Sequence, residues 1–432
     1  MFKTQKLSNG IELITAPIKG TETVTILVLF GTGSKFEDKK TSGLSHFIEH
    51  MIFKGTLKRP NALAIAGELD KMGGEYNAFT SKETTGYWVK VQASQFAPAL
   101  EVLSDIILNS KFASQEIDLE KGVIIEELNM QLDNPLIYLD HLFEKCLYGD
   151  TPAGWEVLGS KENIVKFTRD DFINYIKSQY TAVNAVICLA GRINNQAPSL
   201  IKKYFAKMPA RLPKEKEKVD DRQTRAQVKL FNKPTDQAHL SVGGRGYYFG
   251  HPDEIILKVM AVLLGGTMSS RLFIELRERQ GLAYYVRTQS ELYTDSGYLA
   301  TSVGVRLDKV AAAIKIILTE YKKLTDELVL AKELNKVKNC LIGRTALQLE
   351  TSDDLANWYA QQAILFKEQG LETRQGMSQR ILSPEQYYKK VKQVAAIDIR
   401  RVAREIFVNN KLNLAIIGPS ENEKEMENML HL

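Results

Sequence analysis

Two histidines and a glutamate stand close together in the segment GLSHFIEHMIFKGT, which covers residues 43–56. On a helix, His46 and His50 are four residues apart and project from the same face. Two imidazoles placed in this way can bind one Zn²⁺ and leave a coordination position open for water. Glu49 borders the same face, where its carboxylate can take a proton from that water. These residue types and this spacing suit metal-assisted hydrolysis.

The local sequence predicts the helix that this arrangement needs. Thr41 or Ser42 is expected to cap the helix, which starts near Gly43 and continues through HFIEHMIF. A histidine pair at i and i+4 also arises by chance on helix surfaces, so the pair alone does not specify a metal. With Glu inside it, the pattern becomes H-x-x-E-H, the inverted zinc-peptidase signature, which still requires a third ligand.

The segment LEKGVIIEELNM, residues 119–130, is the candidate source of that ligand. On a helical wheel, one apolar arc is formed by Ile117, Val123, Ile124, Leu128 and Met130. Glu120 and Glu127 fall in the middle of this arc, whereas Glu126 falls outside it. Buried carboxylates need a compensating charge, either a metal or a Lys or Arg at a domain edge. We predict Glu127 as the third ligand and Glu120 as the carboxylate that orients one histidine.

Composition excludes several classes of function. The 432 residues are 44% hydrophobic and 25% charged, which is typical of a soluble globular protein of two to four domains. The net charge of +5 is small, and the basic residues are interspersed with acidic ones, so a nucleic-acid partner is not expected. No apolar run approaches the roughly 20 residues of a spanning helix, so no membrane partner is expected either.

Targeting signals and cysteines bear on the cellular compartment. The N-terminal segment MFKTQKLSNGIELITAP lacks the features of a signal or transit peptide. Cys146, Cys188 and Cys340 are far apart in sequence and odd in number, which favours reduced core thiols over disulfides or metal ligands. A cytoplasmic location is the resulting expectation. The remaining histidines stand alone and are expected to cap, pack or face solvent: His141, His239, His251 and His431.

The chain has a seam near its middle, where AKMPARLPKEKEKVDDRQTRAQ is rich in charge and lacks apolar periodicity. We predict a first domain over residues 1–206, a linker over 207–227 and a second domain over 228–432. In each half, a strand leads into a loop and a helix, followed by a further strand and helix. The fold class expected is α+β and internally duplicated, with two α/β-sandwich halves that have antiparallel-rich sheets and helices on one face.

The two motifs together resemble a known family. HFIEH followed at long range by E-x-x-V-I-x-E-E is similar to the M16 zinc metallopeptidases (pitrilysin, insulysin and mitochondrial processing peptidase), above all to the short two-domain bacterial members. The resemblance implies that His46, His50 and Glu127 bind one Zn²⁺ per chain and that Glu49 is the general base. It also matches Glu120 to the family's second glutamate. Cobalt or manganese could occupy the same ligands.

Two further segments carry the resemblance. SRLFIELRERQGLAYYV, which by itself predicts an amphipathic helix, a glycine turn and a strand, matches the family's substrate-contacting Arg and Tyr at Arg277 and Tyr284. GGEYNAFTSKETTGYW resembles the edge strand along which family members bind an extended substrate, at Asn77, Ala78 and Phe79. The second half has VMAVLLGGTMSS where the first has its zinc helix, so that half is expected to lack a metal site.

The resemblance implies an endopeptidase that cleaves oligopeptides or unfolded segments. Family members close two bowl-shaped halves around a chamber, which implies a homodimer here, with a heterodimer as the alternative. Two other functions remain open at this point. The chain could be a non-catalytic partner subunit of the same fold, although such subunits usually have damaged zinc motifs. It could also be a peptide-binding module with structural zinc, although structural sites normally have four protein ligands.

Overall fold

The strands form two separate sheets in this computed structural model, which describes residues 2–370, 380–419 and 422–432. The strands of the first sheet are β1 (Lys3–Lys6), β2 (Glu12–Pro17), β3 (Thr23–Phe30), β4 (Glu75–Thr80), β5 (Thr85–Gln92) and β6 (Ala185–Gly191). Those of the second are β7 (Gln227–Asn232), β8 (Gln237–Arg245), β9 (Ala283–Leu292), β10 (Gly297–Arg306) and β11 (Leu412–Gly418). Strand β6 is an apolar run and β11 is apolar apart from Asn413; both are buried along their whole length, as expected for central strands.

The two sheets repeat one topology. The first has the order β1-β2-β6-β3-β5-β4, and the second has β7-β11-β8-β10-β9. In both, an early strand pairs in parallel with the last strand of its half, as β2 does with β6 and β7 with β11. The first sheet has one further strand, β1, which pairs antiparallel with β2. The other pairings are antiparallel, from β6 to β4 in one sheet and from β11 to β9 in the other. The predicted internal duplication is confirmed, with β4 and β9 at equivalent edges.

Helices connect and cover the strands. Those of the first part of the chain are α1 (Leu44–Ile52), α2 (Ala62–Lys71), α3 (Phe96–Asn109), α4 (Ser114–Asp133), α5 (Pro135–Tyr148), α6 (Lys161–Ile164), α7 (Arg169–Gln179) and α8 (Ala197–Phe205). Those of the second part are α9 (Glu254–Gly265), α10 (Arg271–Phe273), α11 (Val310–Asp326), α12 (Ala331–Gln348), α13 (Ser352–Glu368), α14 (Pro384–Gln393), α15 (Ala396–Ile406) and α16 (Glu423–Asn428). A short π-helical turn, Ile274–Arg279, follows α10.

Each sheet is packed by one helix from the other half of the sequence. Helix α13 lies against β3 and β6, although it follows the second sheet's strands β7–β10 in the chain. Helix α5 lies against β11, β7 and β8, although it precedes them. The compact units are accordingly discontinuous: one comprises Met1–Leu128, Glu156–Glu217 and Ala346–Ser383, and the other Asn129–Trp155, Lys218–Thr345 and Pro384–Leu432.

Because each half contributes one helix to the sheet of the other, the predicted domains do not coincide with the compact units. The division into residues 1–206 and 228–432 separates the strands of the two sheets, but it does not delimit the compact units. The linker segment lacks regular secondary structure between residues 209 and 226, and one of the boundaries between the units falls within it, after Glu217. Periodicity shows which face of a helix is buried, but it does not show which sheet that face contacts.

The three cysteines differ in burial. Cys146, Cys188 and Cys340 are free; the first two are buried, but Cys340 is half-buried, so the prediction of a core position is wrong for it. Its helix α12 buries a stripe that includes Leu334 and Val337 and leaves Cys340 beside it.

Within the described ranges, no helix combines the length and apolar character needed to cross a bilayer.

Candidate metal centre

Helix α1 is where the sequence predicts it, but its N-terminus is built differently. The N-cap is Gly43, whose φ of 98° favours glycine, and an added Cβ would lie 2.5 Å from the carbonyl oxygen of Leu158. The predicted caps Thr41 and Ser42 are therefore wrong. The carboxyl group of Glu37 takes their place, because its two oxygens accept hydrogen bonds from the Gly43 N–H at 2.8 Å and the Ser45 N–H at 2.6 Å. This acceptor comes from outside the helix.

We expect Glu37→Gln to destabilise the fold by about 1–3 kcal/mol, because the NH2 group of the new side chain would face a buried backbone N–H, and both groups are donors. Urea unfolding followed by circular dichroism measures the change. Glu215→Gln is the matched control, since it makes the same chemical change at an exposed position. Equal unfolding midpoints for the two variants would show that Glu37 does not stabilise α1.

The apolar face of α1 fixes the direction of its histidines. Phe47 is fully buried and packs edge-on against Phe172 of α7, with ring centroids 4.9 Å apart. His46 and His50 project from the adjoining face of the helix, with ring centroids 4.7 Å apart. Because α1 is anchored through its aromatic contacts, the two imidazoles are held together before any ligand binds.

Helix α4 supplies the carboxylates, although its buried face is narrower than predicted. The buried residues of α4 are Ile117, Glu120, Ile124 and Leu128. Val123 and Met130 were predicted in the apolar arc but are 52% and 60% exposed. Glu127 accordingly lies at the border of the buried face rather than in its middle, with 29% of its side chain exposed.

His46, His50 and Glu127 offer one donor atom each within 4.8 Å of one another, which suits a metal ion among the residues that the structure describes. The Glu127 Oε2 lies 3.7 Å from the His46 Nε2 and 3.6 Å from the His50 Nε2. These distances are too long for hydrogen bonds. They are close to the roughly 3.4 Å that separates ligands of a tetrahedral zinc with bonds of about 2.1 Å.

The electrostatic surroundings favour cation binding. Burial, and to a lesser degree the neighbouring His50, lowers the pKa of His46 to about 3, so its imidazole is neutral at pH 7 and has a free electron pair. Burial alone would lower the pKa of His50, but the hydrogen bond and charge of Glu120 outweigh it and raise that pKa. The donor set of two imidazoles and one carboxylate is typical of catalytic zinc sites.

Glu120 contacts His50, one of the two histidines that it was predicted to orient from its position on α4. Its Oε1 lies 2.9 Å from the His50 Nδ1, which leaves the Nε2 directed at Glu127. Lys54 also contacts Glu120, at 2.5 Å. Burial would raise the pKa of Glu120, but the hydrogen bonds from His50 and Lys54 lower it below its ordinary value. Sequence analysis missed Lys54, which lies one turn beyond His50.

Glu49 lies beside the candidate metal ligands and contacts a second residue that sequence analysis missed. The Thr80 hydroxyl donates a hydrogen bond to the Glu49 Oε2 at 2.6 Å. Burial raises the pKa of Glu49 above its ordinary value, a shift that brings a carboxylate closer to the basicity of a general base at neutral pH. Thr80 follows Asn77, Ala78 and Phe79 in β4, but nothing in the local sequence signals its contact with α1.

Replacing Thr80 tests this contact. We expect Thr80→Val to lower kcat by about tenfold, because Glu49 loses the hydrogen bond that fixes its carboxylate. Thr80→Ser keeps the hydroxyl and should retain most of the activity. Peptide cleavage by the two variants, together with their metal content, measures the difference. A Thr80→Val protein as active as Thr80→Ser would show that the contact has no positioning role.

The predicted substrate strand lies at a sheet edge. Strand β4 pairs only with β5 within the described sheet. Asn77 is exposed, and its side-chain oxygen accepts a hydrogen bond from the Ala78 N–H at 2.9 Å. The Phe79 ring lies over Gly86 of β5, where an added Cβ would be 2.4 Å from it. Phe79 thus braces the edge strand that contains Asn77 and Ala78.

Arg277 and Tyr284 belong to the second compact unit, where they contact each other. The Arg277 Nη1 donates to the Tyr284 carbonyl at 2.8 Å, and its guanidinium lies 4.9 Å from the Tyr284 ring and 5.0 Å from the Phe273 ring. The predicted amphipathic helix is wrong in detail, since Arg277 lies in the π-helical turn. The glycine turn at Gly281 and the following strand β9 agree with the sequence prediction.

Comparison with known proteins identifies the family. A model described as "Insulinase (Peptidase family M16)" matches residues 13–160, and one described as "Peptidase M16 inactive domain" matches residues 166–341. The "Uncharacterized zinc protease YmxG" of Bacillus subtilis is 32% identical over 98% of this chain and 99% of its own. The chain belongs to peptidase family M16. The resemblance stated from the two motifs is therefore confirmed.

Other M16-like proteins agree in extent and fold. An "Uncharacterized zinc protease" of Rickettsia felis is 31% identical over 97% of this chain and 98% of its own. A solved structure described as a protease from Helicobacter pylori superposes with a TM-score of 0.87 at 24% identity, covering 97% of this chain and 99% of its own. At that identity the likeness shows the fold alone, and it agrees with the duplicated α+β architecture.

Proposed function

We propose that this M16 protein is a zinc-dependent endopeptidase that hydrolyses oligopeptides or unfolded segments. The observation that carries the proposal is the convergence of His46, His50 and Glu127, with Glu49 beside them. Three protein ligands leave a position for water or substrate, which distinguishes a catalytic zinc site from a structural one. A bound Zn²⁺ would supply Lewis-acid chemistry, polarising the scissile carbonyl and acidifying a water molecule.

The chain's own residues supply the remaining steps. Glu49 accepts the proton of the attacking water and returns it to the leaving amine, while Thr80 keeps its carboxylate in place. Glu120 holds the tautomer of His50 in which the Nε2 is free to bind a cation. The substrate lies as an added strand along the open edge of β4, near Asn77 and Ala78, through backbone hydrogen bonds that tolerate many sequences.

Arg277 and Tyr284 complete this proposal through the resemblance to M16 enzymes. There the equivalent pair lies close to the substrate, and Tyr284 would donate its hydroxyl to the developing oxyanion. The proposed assembly is a homodimer with a closed chamber, in which one copy provides this pair to the metal of the other. A heterodimer with a related chain is the alternative. The proposed location is cytoplasmic, on the basis of the free cysteines.

One experiment tests the function. The purified protein is analysed for zinc and incubated with a library of quenched-fluorescence peptides, with and without chelator. We expect about one zinc per chain, cleavage that the chelator abolishes, and recovery on adding Zn²⁺ back. Bound zinc without any cleavage would favour a non-catalytic partner subunit of the same fold. Absence of bound zinc would refute the proposed metal centre.

A further inference from the structure

The pairing of strands β9 and β10 is irregular at the position of Tyr284. Val303 of β10 pairs with Val286, and Val305 pairs with Ala283. Tyr284 and Tyr285 therefore oppose a single residue, Gly304, which is the arrangement of a β-bulge. Ala283 and Val286 are 6% and 9% exposed, so two residues three apart are both buried, although a regular strand buries every second residue.

This bulge decides where Tyr284 points. In an unbroken strand, Tyr284 and Val286 would share a face, and Tyr284 would turn toward the core. With the bulge, Val286 stays buried while Tyr284 is 77% exposed beside Arg277. The exposed position of Tyr284 is therefore a consequence of the irregular pairing rather than of the strand itself.

Tyr285 and Gly304 fit together at the bulge. An added Cβ on Gly304 would lie 2.5 Å from a ring carbon of Tyr285, so the ring occupies the space that any other residue would fill. The Tyr285 hydroxyl lies 3.0 Å from the Nδ1 of His239 on the next strand, β8, and the two rings are stacked with centroids 5.9 Å apart. His239 is the register partner of Gly304, so the three residues form one line across three strands.

We propose that Tyr285 is a positioning residue, which packs on Gly304 and is hydrogen-bonded to His239. It stabilises the bulge and so presents Tyr284 to the substrate. Filling the glycine would displace the Tyr285 ring, loosen the bulge and move Tyr284. The inference rests on the proposed function for its catalytic consequence, in which Tyr284 contacts the oxyanion. Its structural part, the dependence of Tyr284 on Tyr285 and Gly304, does not.

Fluorine NMR tests the structural part without any assay of activity. With 3-fluorotyrosine at position 284 only, Gly304→Ala should shift and broaden the resonance, and so should Tyr285→Ala if the glycine variant does not fold. Gly343→Ala is the matched control, because an added Cβ there meets nothing within 4 Å. The proposal would be overturned if neither Gly304→Ala nor Tyr285→Ala changed the resonance more than Gly343→Ala does.

A double-mutant cycle tests the catalytic part. We expect Gly304→Ala to lower kcat by about tenfold or more with KM within about threefold, as for loss of a transition-state contact. In a Tyr284→Phe background, the further loss should shrink to less than about twofold, because both changes remove the same contact. A full, additive loss would show that Gly304 acts elsewhere and would overturn the proposal. No effect of Tyr284→Phe alone would instead count against the proposed role of Tyr284.

Discussion

A protein carrying Glu49→Gln should bind as much zinc as the unaltered protein and cleave peptides about a hundred to ten thousand times more slowly. Gln keeps the size of the side chain and can still accept the Thr80 hydrogen bond, but it cannot take a proton. The metal should stay because Glu49 is not among the residues whose donor atoms converge. Zinc content and kcat for one quenched-fluorescence peptide measure both expectations.

The control for this substitution is Glu215→Gln, which makes the same chemical change at an exposed position. Its activity should equal that of the unaltered protein. If Glu49→Gln retained more than about a tenth of the activity, another group would be the base. If it lost its zinc, the glutamate would contribute to binding the metal, and the division of roles between Glu49 and Glu127 would be wrong.

A Glu127→Ala protein should lose both zinc and activity. The variant keeps two imidazoles but removes the only carboxylate among the three converging residues, and with it the negative charge that offsets the cation. Glu120→Gln should have the smaller effect of about ten- to a hundredfold in affinity, because Glu120 only orients His50. Competition with a fluorescent zinc chelator ranks the affinities of the two variants.

The matched control for Glu127 is its neighbour Glu126, which is exposed on α4 and is not among the three residues whose donor atoms converge. Glu126→Ala should bind zinc with the affinity of the unaltered protein. Equal zinc affinities for Glu126→Ala and Glu127→Ala would mean that the third ligand lies elsewhere.

The part of the site that depends on local structure was predictable. His46 and His50 share one helix face because four residues make about one turn, and this geometry holds wherever the helix packs. Glu120 and Glu127 were found from their periodicity on α4, although the wheel placed the exposed Val123 in the same arc. A wheel assigns a smooth average face, whereas the neighbouring elements of the fold decide which border residues are covered.

The contacts that join distant segments were not predictable in the same way. Glu37 caps α1 from outside the helix, and Thr80 reaches Glu49 from a strand. Neither contact leaves a trace in the periodicity of either segment. The π-helical turn at Arg277 was also missed, because its apolar spacing resembles that of an ordinary helix. The predicted duplication succeeded because it depends on the order of elements, which both halves share.

The exchange of α5 and α13 has a consequence for synthesis of the protein. Domains generally fold as units while the chain emerges from the ribosome, the N-terminal one first. Here the first sheet has all its strands by residue 191, but the helix that covers β3 and β6 ends only at Glu368. The apolar surface of the first sheet therefore stays uncovered by this helix until most of the chain has been made. We therefore expect this protein to depend on chaperones while its first unit is still being synthesised.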